Sequence, residues 1–311
     1  MKFKIILFTI SSILFSSCFK DVNNDPTRTT DAGVGQILPG LEAQSARNLG
    51  SIGARVTGCV IQQFVGLNNQ PAGYTTYEID EVTLNEFWRT GLYGGAMKDC
   101  ADIMAKVKKL NAPYYSGISK LLMAFNLGLA TSCWGDVPYA KAFEGEANLT
   151  PAYDAQSVVY DSIQSLLDQS IDDFRKPAGL INPTSDDLIF RGDAKKWLET
   201  ARALKARYYM HLSKRDLNAA SKVIGILSQG TILSNAAQPN FPFENTTNGA
   251  NPIASFGVQR PGQLALGKPL VDLLVQRSDP RLNRYTRLVS GNYVVYSATT
   301  PTMFWAQNNA P

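Results

Sequence analysis

The chain has 311 residues, of which 44% are hydrophobic and 10% aromatic, enough to bury a substantial core in one large domain or two. Its formal net charge of +4 comes without a block of lysine or arginine, which excludes the electrostatic footprint of a nucleic-acid-binding protein. Its only histidine is His211, so any His-based catalytic triad or zinc site has to depend on that one residue.

The first 17 residues predict a secretory signal peptide. Lys2 and Lys4 form a basic start, and residues 5–15 are an apolar run too short to span a bilayer. Two serines then precede Cys18, which lies where a bacterial lipoprotein is cleaved and acylated. We expect acyl chains such as palmitate on Cys18 to anchor the protein, each buried methylene contributing about 0.8 kcal/mol. The alternative is an ordinary secreted protein with a cysteine near its cleavage site.

Residues 18–35 predict a flexible tether between the lipid and the folded body. The stretch from Asp21 to Pro26 is polar and rich in turn formers. Loss of the two lysines in residues 1–17 lowers the formal charge from +4 to +2. Residues 36–311 are then expected to form the folded domain.

From residue 36 onward, apolar residues recur at helical spacing and predict a mainly all-α fold. The predicted helices are 36–69, 84–110, one beginning at Pro113, 154–174, one capped by Asp193, and one ending at Gly230. Paired antiparallel helices of this kind resemble a tetratricopeptide-like scaffold, although no period of about 34 residues is visible. Long irregular loops are expected at 66–83, 134–153, 176–192 and 234–266.

The sequence favours a protein that is not an enzyme. His211 lies in a strongly helical segment, where we expect it on a helix face. The acidic pairs Asp172–Asp173 and Asp186–Asp187 have the pattern of solvated charges at helix ends or in loops. Carboxylate-only chemistry, as in glycosidases, stays open as a lesser alternative.

No cofactor or metal site is predicted from the cysteines. Cys59, Cys100 and Cys133 have no metal-binding spacing and are each expected to be buried thiols in apolar surroundings. A structural calcium ion ordering one of the loops is left open.

Five stretches in order carry a resemblance to a known family. They are Asp21–Pro26 after Cys18, Phe87–Tyr93, Cys133–Tyr139, Trp197–Arg207 and Ser278–Leu282. Their order and spacing resemble the SusD/RagB outer-membrane lipoproteins of Bacteroidetes-type bacteria, in particular the SusD-like subgroup. Family members usually run well beyond this length, so the chain is expected to be either an incomplete SusD-like domain or a natural short version.

Two of these stretches are interpreted as structural turns. In the first, Asp136 can bond nearby backbone N–H groups and Pro138 prevents the helix from continuing. Its motif residues are Trp134, Gly135, Asp136, Pro138 and Tyr139. In the second, Asp279, Pro280 and Arg281 are expected to form a turn held by an Asp–Arg contact. Trp88 lies on an apolar helix stripe and is expected in the core.

The resemblance implies a nutrient-binding lipoprotein of the outer membrane that faces the cell exterior. Such a protein captures oligosaccharides, or in some members peptides, and delivers them to a SusC-type TonB-dependent transporter. Two other classes stay open. One is a helical-repeat scaffold lipoprotein that binds other proteins, and the other, less favoured, is a carboxylate-dependent glycan hydrolase.

Aromatic rings and amides on loops suit sugar capture, because rings stack on apolar sugar faces and amides bond hydroxyl groups. The hypothesis assigns ring platforms to Tyr74, Tyr77 and Trp305 and polar contacts to Asn68, Asn69 and Gln307. The alternative is that these aromatic residues only pin loops to the helices.

Overall fold

The computed structural model describes residues 31–246 and 248–286, together with the strand residues 288–289 and 292–293. The described residues from Val34 onward form one unit. Its helices are α1 (Val34–Gly50), α2 (Ile52–Val60), α3 (Asn69–Thr75), α4 (Phe87–Ala96, with π-helical winding), α5 (Met97–Val107), α6 (Pro113–Trp134), α7 (Gln156–Arg175), α8 (Ala194–His211), α9 (Ala219–Leu227), α10 (Pro252–Gln259), α11 (Lys268–Gln276) and α12 (Leu282–Tyr285). The strands are β1 (Phe64–Gly66), β2 (Leu264–Leu266), β3 (Leu288–Val289) and β4 (Asn292–Tyr293). The mainly helical fold predicted from the sequence is confirmed.

Helix α6 is the centre of the main core. It packs against α5 and α7 and also contacts α1, α4 and α8. Buried residues occur on every face of α6, from Tyr115 and Ile118 to Leu127 and Ala130, as expected of a helix surrounded by others. Pro113 occupies its first turn, where a missing backbone N–H has no cost, as the sequence predicts.

Helix α7 runs antiparallel to both α6 and α8, the two helices against which it packs most closely. Near one end, Ser116 at the start of α6 donates to Asp173 near the end of α7 at 2.7 Å. At the other end, the side chain of Gln156 donates to the carbonyl of Thr131 at 2.9 Å. The start of α8 then lies beside the end of α7, since the rings of Phe174 and Trp197 stack with their centroids 6.4 Å apart.

The predicted helix over 36–69 is interrupted and shorter than expected. Ser51 has an extended backbone and separates α1 from α2, and the helical run ends at Val60. Phe64, assigned by its spacing to the helical stripe, instead begins β1 and pairs with Leu266 of β2. A pairing partner about 200 residues away in sequence leaves no local signal.

Two of the predicted irregular stretches contain an α-helix. Helix α3 lies within 66–83, and α10 and β2 lie within 234–266. The predicted cap of α8 is confirmed, because Asp193 accepts hydrogen bonds from the backbone N–H groups of Lys195 and Lys196. Among the described residues, no helix is long and apolar enough to cross a membrane.

The acidic pairs are not both solvated, which corrects the expectation for two carboxylates. Asp173 is buried and accepts hydrogen bonds from the side chains of Ser116, Lys120 and Lys176. Asp187 is also fully buried. Adjacent residues on a helix or turn point in different directions, so one member of each pair turns inward while its neighbour stays nearer the surface.

One cysteine also departs from expectation. Cys59 and Cys100 are buried free thiols, as predicted, whereas Cys133 near the end of α6 is exposed. The apolar stretch around Cys133 covers only one side of the last helical turn, so the sequence composition did not reveal its exposure.

Candidate functional site

The first candidate surface is the α3 segment, residues 66–77. Tyr77, two residues beyond α3, exposes 61% of its surface and has a backbone φ of 63°, and Asn68 and Asn69 at the start of α3 are also exposed. These three polar or aromatic side chains therefore reach solvent, as the sugar-capture hypothesis requires.

The α3 segment is held firmly to the β1–β2 ribbon. The backbone N–H of Gly66 donates to the hydroxyl of Thr75 at 2.7 Å, and the side chain of Asn68 donates to the carbonyl of Gly262 at 3.2 Å. A side chain at position 66 would lie 1.7 Å from the carbonyl oxygen of Pro71, so only glycine permits this approach. The exposed groups thus sit on an anchored support.

Tyr74 does not join Tyr77 at the surface. Its side chain is only 1% exposed and packs in a small core with Val56, Cys59 and Leu264. Burial raises the pKa of its phenol, and the nearby Arg55 opposes that shift. No ligand can stack on this ring in the present structure, so Tyr74 supports the segment instead of presenting a platform.

Three residues assigned from the sequence lie outside the described residues. They are Cys18, the expected lipid-attachment site, and Trp305 and Gln307, the expected platform and polar contact near the end of the chain.

The Trp134–Tyr139 turn joins α6 to the strand-like segment before α7. Gly135 ends α6 at a φ of 75°, and its carbonyl accepts a hydrogen bond from the hydroxyl of Thr131 at 2.7 Å. Asp136 accepts from the backbone N–H of Gln156, the first residue of α7, at 2.8 Å. Asp136 therefore satisfies one of the N–H groups that a helix start leaves without a partner.

Asp154 holds the other half of this turn. Its carboxylate accepts from the backbone N–H groups of both Tyr139 and Ala140 at 2.8 Å, while its backbone pairs with Val137. The carbonyl of Pro138 accepts from the hydroxyl of Tyr93 at 2.7 Å. Burial raises the pKa of Tyr139 to about 12.

An aromatic cluster, which sequence reasoning missed, forms where this turn meets α4. Its members are Trp88, Tyr93, Trp134, Phe143 and Tyr153 (the Trp88 cluster). The ring of Trp88 lies 4.6 Å from Tyr93, 4.9 Å from Trp134 and 6.5 Å from Tyr153, measured between centroids. Tyr153 is 65% exposed and Trp88 is only half-buried, so the expected core position of Trp88 is in fact the edge of the core.

The cluster brings two of the five family-like stretches together. Phe87–Tyr93 and Cys133–Tyr139 are separated by about 40 residues, yet Phe87 and Trp134 also pack at 5.6 Å. The only signal in the sequence is the density of aromatic residues in both stretches, which does not reveal that they touch.

The Asp279–Arg281 turn connects α11 to α12. Asp279 forms an ion pair with Arg281 at 2.6 Å and also accepts from its backbone N–H at 2.9 Å. These hydrogen bonds from Arg281 lower the pKa of Asp279 to about 2. Pro280 lies between the two, where its fixed φ suits a turn.

A second candidate surface is a cavity of about 730 Å³ between α1, α6, α8 and the segment 232–253. Its walls are mostly apolar and include Leu121, Phe125, Leu204 and the Phe241–Phe243 pair. Glu42 of α1 is at its base, fully buried. A largely apolar cavity of this size is typical of binding sites for small molecules or protein segments.

Glu42 is held in an unusual state. The backbone N–H of Leu188 donates to its Oε2 at 2.7 Å, and among the described residues its other oxygen, Oε1, has no hydrogen-bond partner. Burial, and next the negative charge of Asp187, raise the pKa of Glu42 to about 9. Asp187 itself accepts hydrogen bonds from four N–H groups, one of them the indole N–H of Trp197 at 2.7 Å.

His211, the histidine considered in the sequence analysis, lies at the end of a helix and contacts a tyrosine. His211 ends α8, is exposed, and shares a 3.0 Å hydrogen bond with the hydroxyl of Tyr160. Its ring is nevertheless partly desolvated, and this desolvation, followed by the charge of Arg207, lowers its pKa. Within the described residues, no group of three or more His, Cys, Asp or Glu side chains could hold a metal ion.

Comparison with known proteins identifies the fold family. Residues 25–302 match the family model SusD-like_2, described as "Starch-binding associating with outer membrane". No curated protein matches the chain. A SusD/RagB family protein from Bacteroides thetaiotaomicron VPI-5482 is similar with a TM-score of 0.72 and 27% identity, over 87% of this chain and 58% of that one.

Two further solved structures share the fold. A chitin-binding protein has a TM-score of 0.68 and 21% identity, over 81% of this chain and 54% of that one. A SusD-like protein from Bacteroides thetaiotaomicron VPI-5482 has a TM-score of 0.69 and 19% identity, over 86% of this chain and 56% of that one. This chain therefore spans little more than half the length of these structures. The sequence match extends over most of its residues, and the chain belongs to the SusD-like family.

Proposed function

We propose that this protein is a cell-surface nutrient-binding lipoprotein that captures oligosaccharides, or peptides, and delivers them to a SusC-type TonB-dependent transporter of the outer membrane. The family description supports starch binding and outer-membrane association, and one structure of the same fold is a chitin-binding protein. The role is capture without catalysis, and it needs no cofactor.

The observation that carries the proposal is the exposed ring of Tyr77 on the anchored α3 segment. A rigid support lowers the entropy lost when a flexible ligand is bound. Tyr77 supplies a ring for an apolar sugar face, and Asn68 and Asn69 supply amides for hydroxyl groups. Trp305 and Gln307 are proposed to add a second platform and a further amide.

The membrane anchor is part of the same proposal. Residues 1–17 are removed as a signal peptide, Cys18 carries the acyl chains, and residues 18–35 tether the binding domain to the outer surface. Expression in a Bacteroides host with an alkyne analogue of palmitate measures this directly. Label is expected in the parent protein and absent in a Cys18→Ser variant, and label retained in that variant contradicts the anchor.

Calorimetric titration of the purified protein with malto- and chito-oligosaccharides and short peptides tests capture. Saturable binding of one class without turnover is expected. Tyr77→Ala is expected to weaken it roughly threefold to tenfold, the share of one aromatic contact. Tyr285→Ala, which removes another exposed tyrosine on α12, is the matched control and is expected to leave affinity unchanged. Equal affinities for the parent and Tyr77→Ala would contradict the assigned role of Tyr77.

The second candidate function is a helical scaffold that binds another protein. The largely apolar cavity of about 730 Å³ between α1, α6 and α8 favours it. Silence across the ligand panel, from a folded sample, combined with co-purification of a protein other than the transporter, would support this candidate. Release of shorter products from a polysaccharide would instead indicate the glycan hydrolase.

A further inference from the structure

A cavity of about 630 Å³ opens between α5, α6, α7 and the loop over 139–143, apart from the α3 segment. Its apolar lining includes Met104, Met123 and the half-buried rings of Tyr139 and Phe143. Its volume is in the range of small-molecule sites, and the rings give it surfaces of the kind on which sugar rings stack.

The charged groups that line this cavity are unbalanced. They are Lys108 from the end of α5, Lys120 of α6, Asp173 of α7 and Lys176 just beyond α7. Three ammonium groups therefore face one carboxylate. The cavity walls carry an excess of positive charge although the whole chain has a formal charge of only +4.

Asp173 does not occupy all the N–H donors of these lysines. The ammonium groups of Lys120 and Lys176 bind Asp173 at 2.7 Å and 2.6 Å, and the hydroxyl of Ser116 binds it at 2.7 Å. Each ammonium has three N–H donors, so this pairing leaves donors on both lysines. Lys108 is exposed and forms no ion pair within the part of the chain that the structure describes.

The backbone at the cavity edge gives an independent observation. Phe143 has a φ of 65°, a left-handed conformation that a bulky residue adopts only at a cost. Its ring stacks on Tyr93 with centroids 6.0 Å apart and planes 19° apart, which ties the cavity to the Trp88 cluster. Such strain is common where a side chain is aimed at a ligand.

From the cationic excess and the aromatic wall together, we infer that this cavity binds a uronate residue of an acidic oligosaccharide. The sugar ring lies against Phe143 and Tyr139, and its carboxylate binds the lysines, chiefly Lys108. A neutral sugar would use the rings but leave Lys108 without a counter-charge and Asp173 as the single carboxylate facing three ammonium groups. This inference rests on the proposed capture of oligosaccharides and names an acidic class of ligand for it.

The test compares ligands that differ only in charge. Purified protein is titrated by calorimetry with tetrasaccharides of galacturonate, mannuronate and glucuronate, and with their methyl esters, which keep the shape but remove the carboxylate charge. At least one acid is expected to bind roughly 10- to 100-fold more tightly than its ester, the range for hydrogen bonds to charged groups. Its affinity is also expected to fall with added salt.

The matched variants are Lys108→Gln and Lys109→Gln. The two lysines are adjacent and exposed, but only Lys108 lines the cavity, so both variants lose one charge and neither disrupts the fold. Lys108→Gln is expected to weaken binding of the acid about tenfold and to leave its ester unaffected. Lys109→Gln is expected to leave both affinities close to those of the parent.

Three outcomes overturn the inference. They are equal affinity for acids and esters, equal effects of the two lysine variants, or no binding of any uronate. Binding of tetraglutamate with the same dependence on Lys108 would assign the cavity to acidic peptides and overturn the sugar class. Binding of neutral oligosaccharides that depends on Tyr77 would support the proposed capture function even if the uronate inference fails. Failure of the inference and failure of the proposed function are therefore distinguishable.

Discussion

The buried pair of Glu42 and Asp187 predicts that stability falls as pH rises through neutrality. Glu42 is fully buried, and this burial, followed by the negative charge of Asp187, raises its pKa from 4.5 to about 9. Above pH 4.5 the unfolded chain releases this proton while the folded protein keeps it. The unfolded state then binds fewer protons, so the free energy of unfolding decreases with pH until the folded pKa is reached.

The expected size follows from the two pKa values. Each pH unit between them costs about 1.4 kcal/mol, so the contribution of Glu42 falls by about 3 kcal/mol between pH 5 and pH 7.5. Glu42→Gln removes the titration, because an amide does not ionise. The glutamine side chain has the same shape, so it can still accept a hydrogen bond from the backbone N–H of Leu188 and donate one to Asp187. The variant is expected to match or exceed the parent in stability at pH 7.5 and to lose this advantage at pH 5.

Urea unfolding of both proteins across this pH range measures the difference. His211 and the other titrating groups are common to both, so subtraction isolates Glu42. The exposed Glu86 provides a matched control, and Glu86→Gln is expected to track the parent at every pH. A difference between the parent and Glu42→Gln that stays constant from pH 5 to pH 7.5 would refute the reasoning.

Three further predictions concern the turn, the buried ion pair and the ligand. Gly135→Ala is expected to destabilise the protein by about 1–3 kcal/mol, because the backbone φ at this position is 75°. Gly40→Ala, in open space on α1, is expected to stabilise it by about 0.5–1 kcal/mol. Thermal unfolding measures both variants, and equal shifts in their stability contradict the strain argument. Asp173→Asn is expected to lower the free energy of unfolding by about 3 kcal/mol, because it leaves Lys120 without its buried partner. Asp172→Asn, at the exposed neighbouring position, is expected to lower it by less than about 0.5 kcal/mol, and urea unfolding measures both. Tyr77→Ala is expected to weaken ligand binding in calorimetry and Tyr285→Ala is not.

The helices that the sequence predicted well are those with a strong local signal. The apolar repeat of α7, the proline at the start of α6 and the aspartate before α8 each act within a few residues, so the sequence alone identifies them. The boundaries were less accurate where a partner is distant. Phe64 has helical spacing, yet pairing with Leu266 draws it into a strand.

The candidate site shows the same difference between features with a local sequence signal and features that depend on distant residues. Exposure of Asn68, Asn69 and Tyr77 agrees with the polar, turn-rich composition of their segment, whereas burial of Tyr74 between α2 and β2 depends on long-range packing. A phenol ring suits a core and a sugar platform equally well, and composition does not separate the two.

From the sequence alone we predicted the helical fold, the Asp193 cap of α8 and the family resemblance carried by five stretches. These features depend on residues that are close together along the chain. Only the tertiary structure decided which carboxylates are buried, that Trp88 and Trp134 meet, and that three lysines surround one cavity. Burial and charge balance arise from groups that distant segments bring together, and a pattern read along one segment does not contain them.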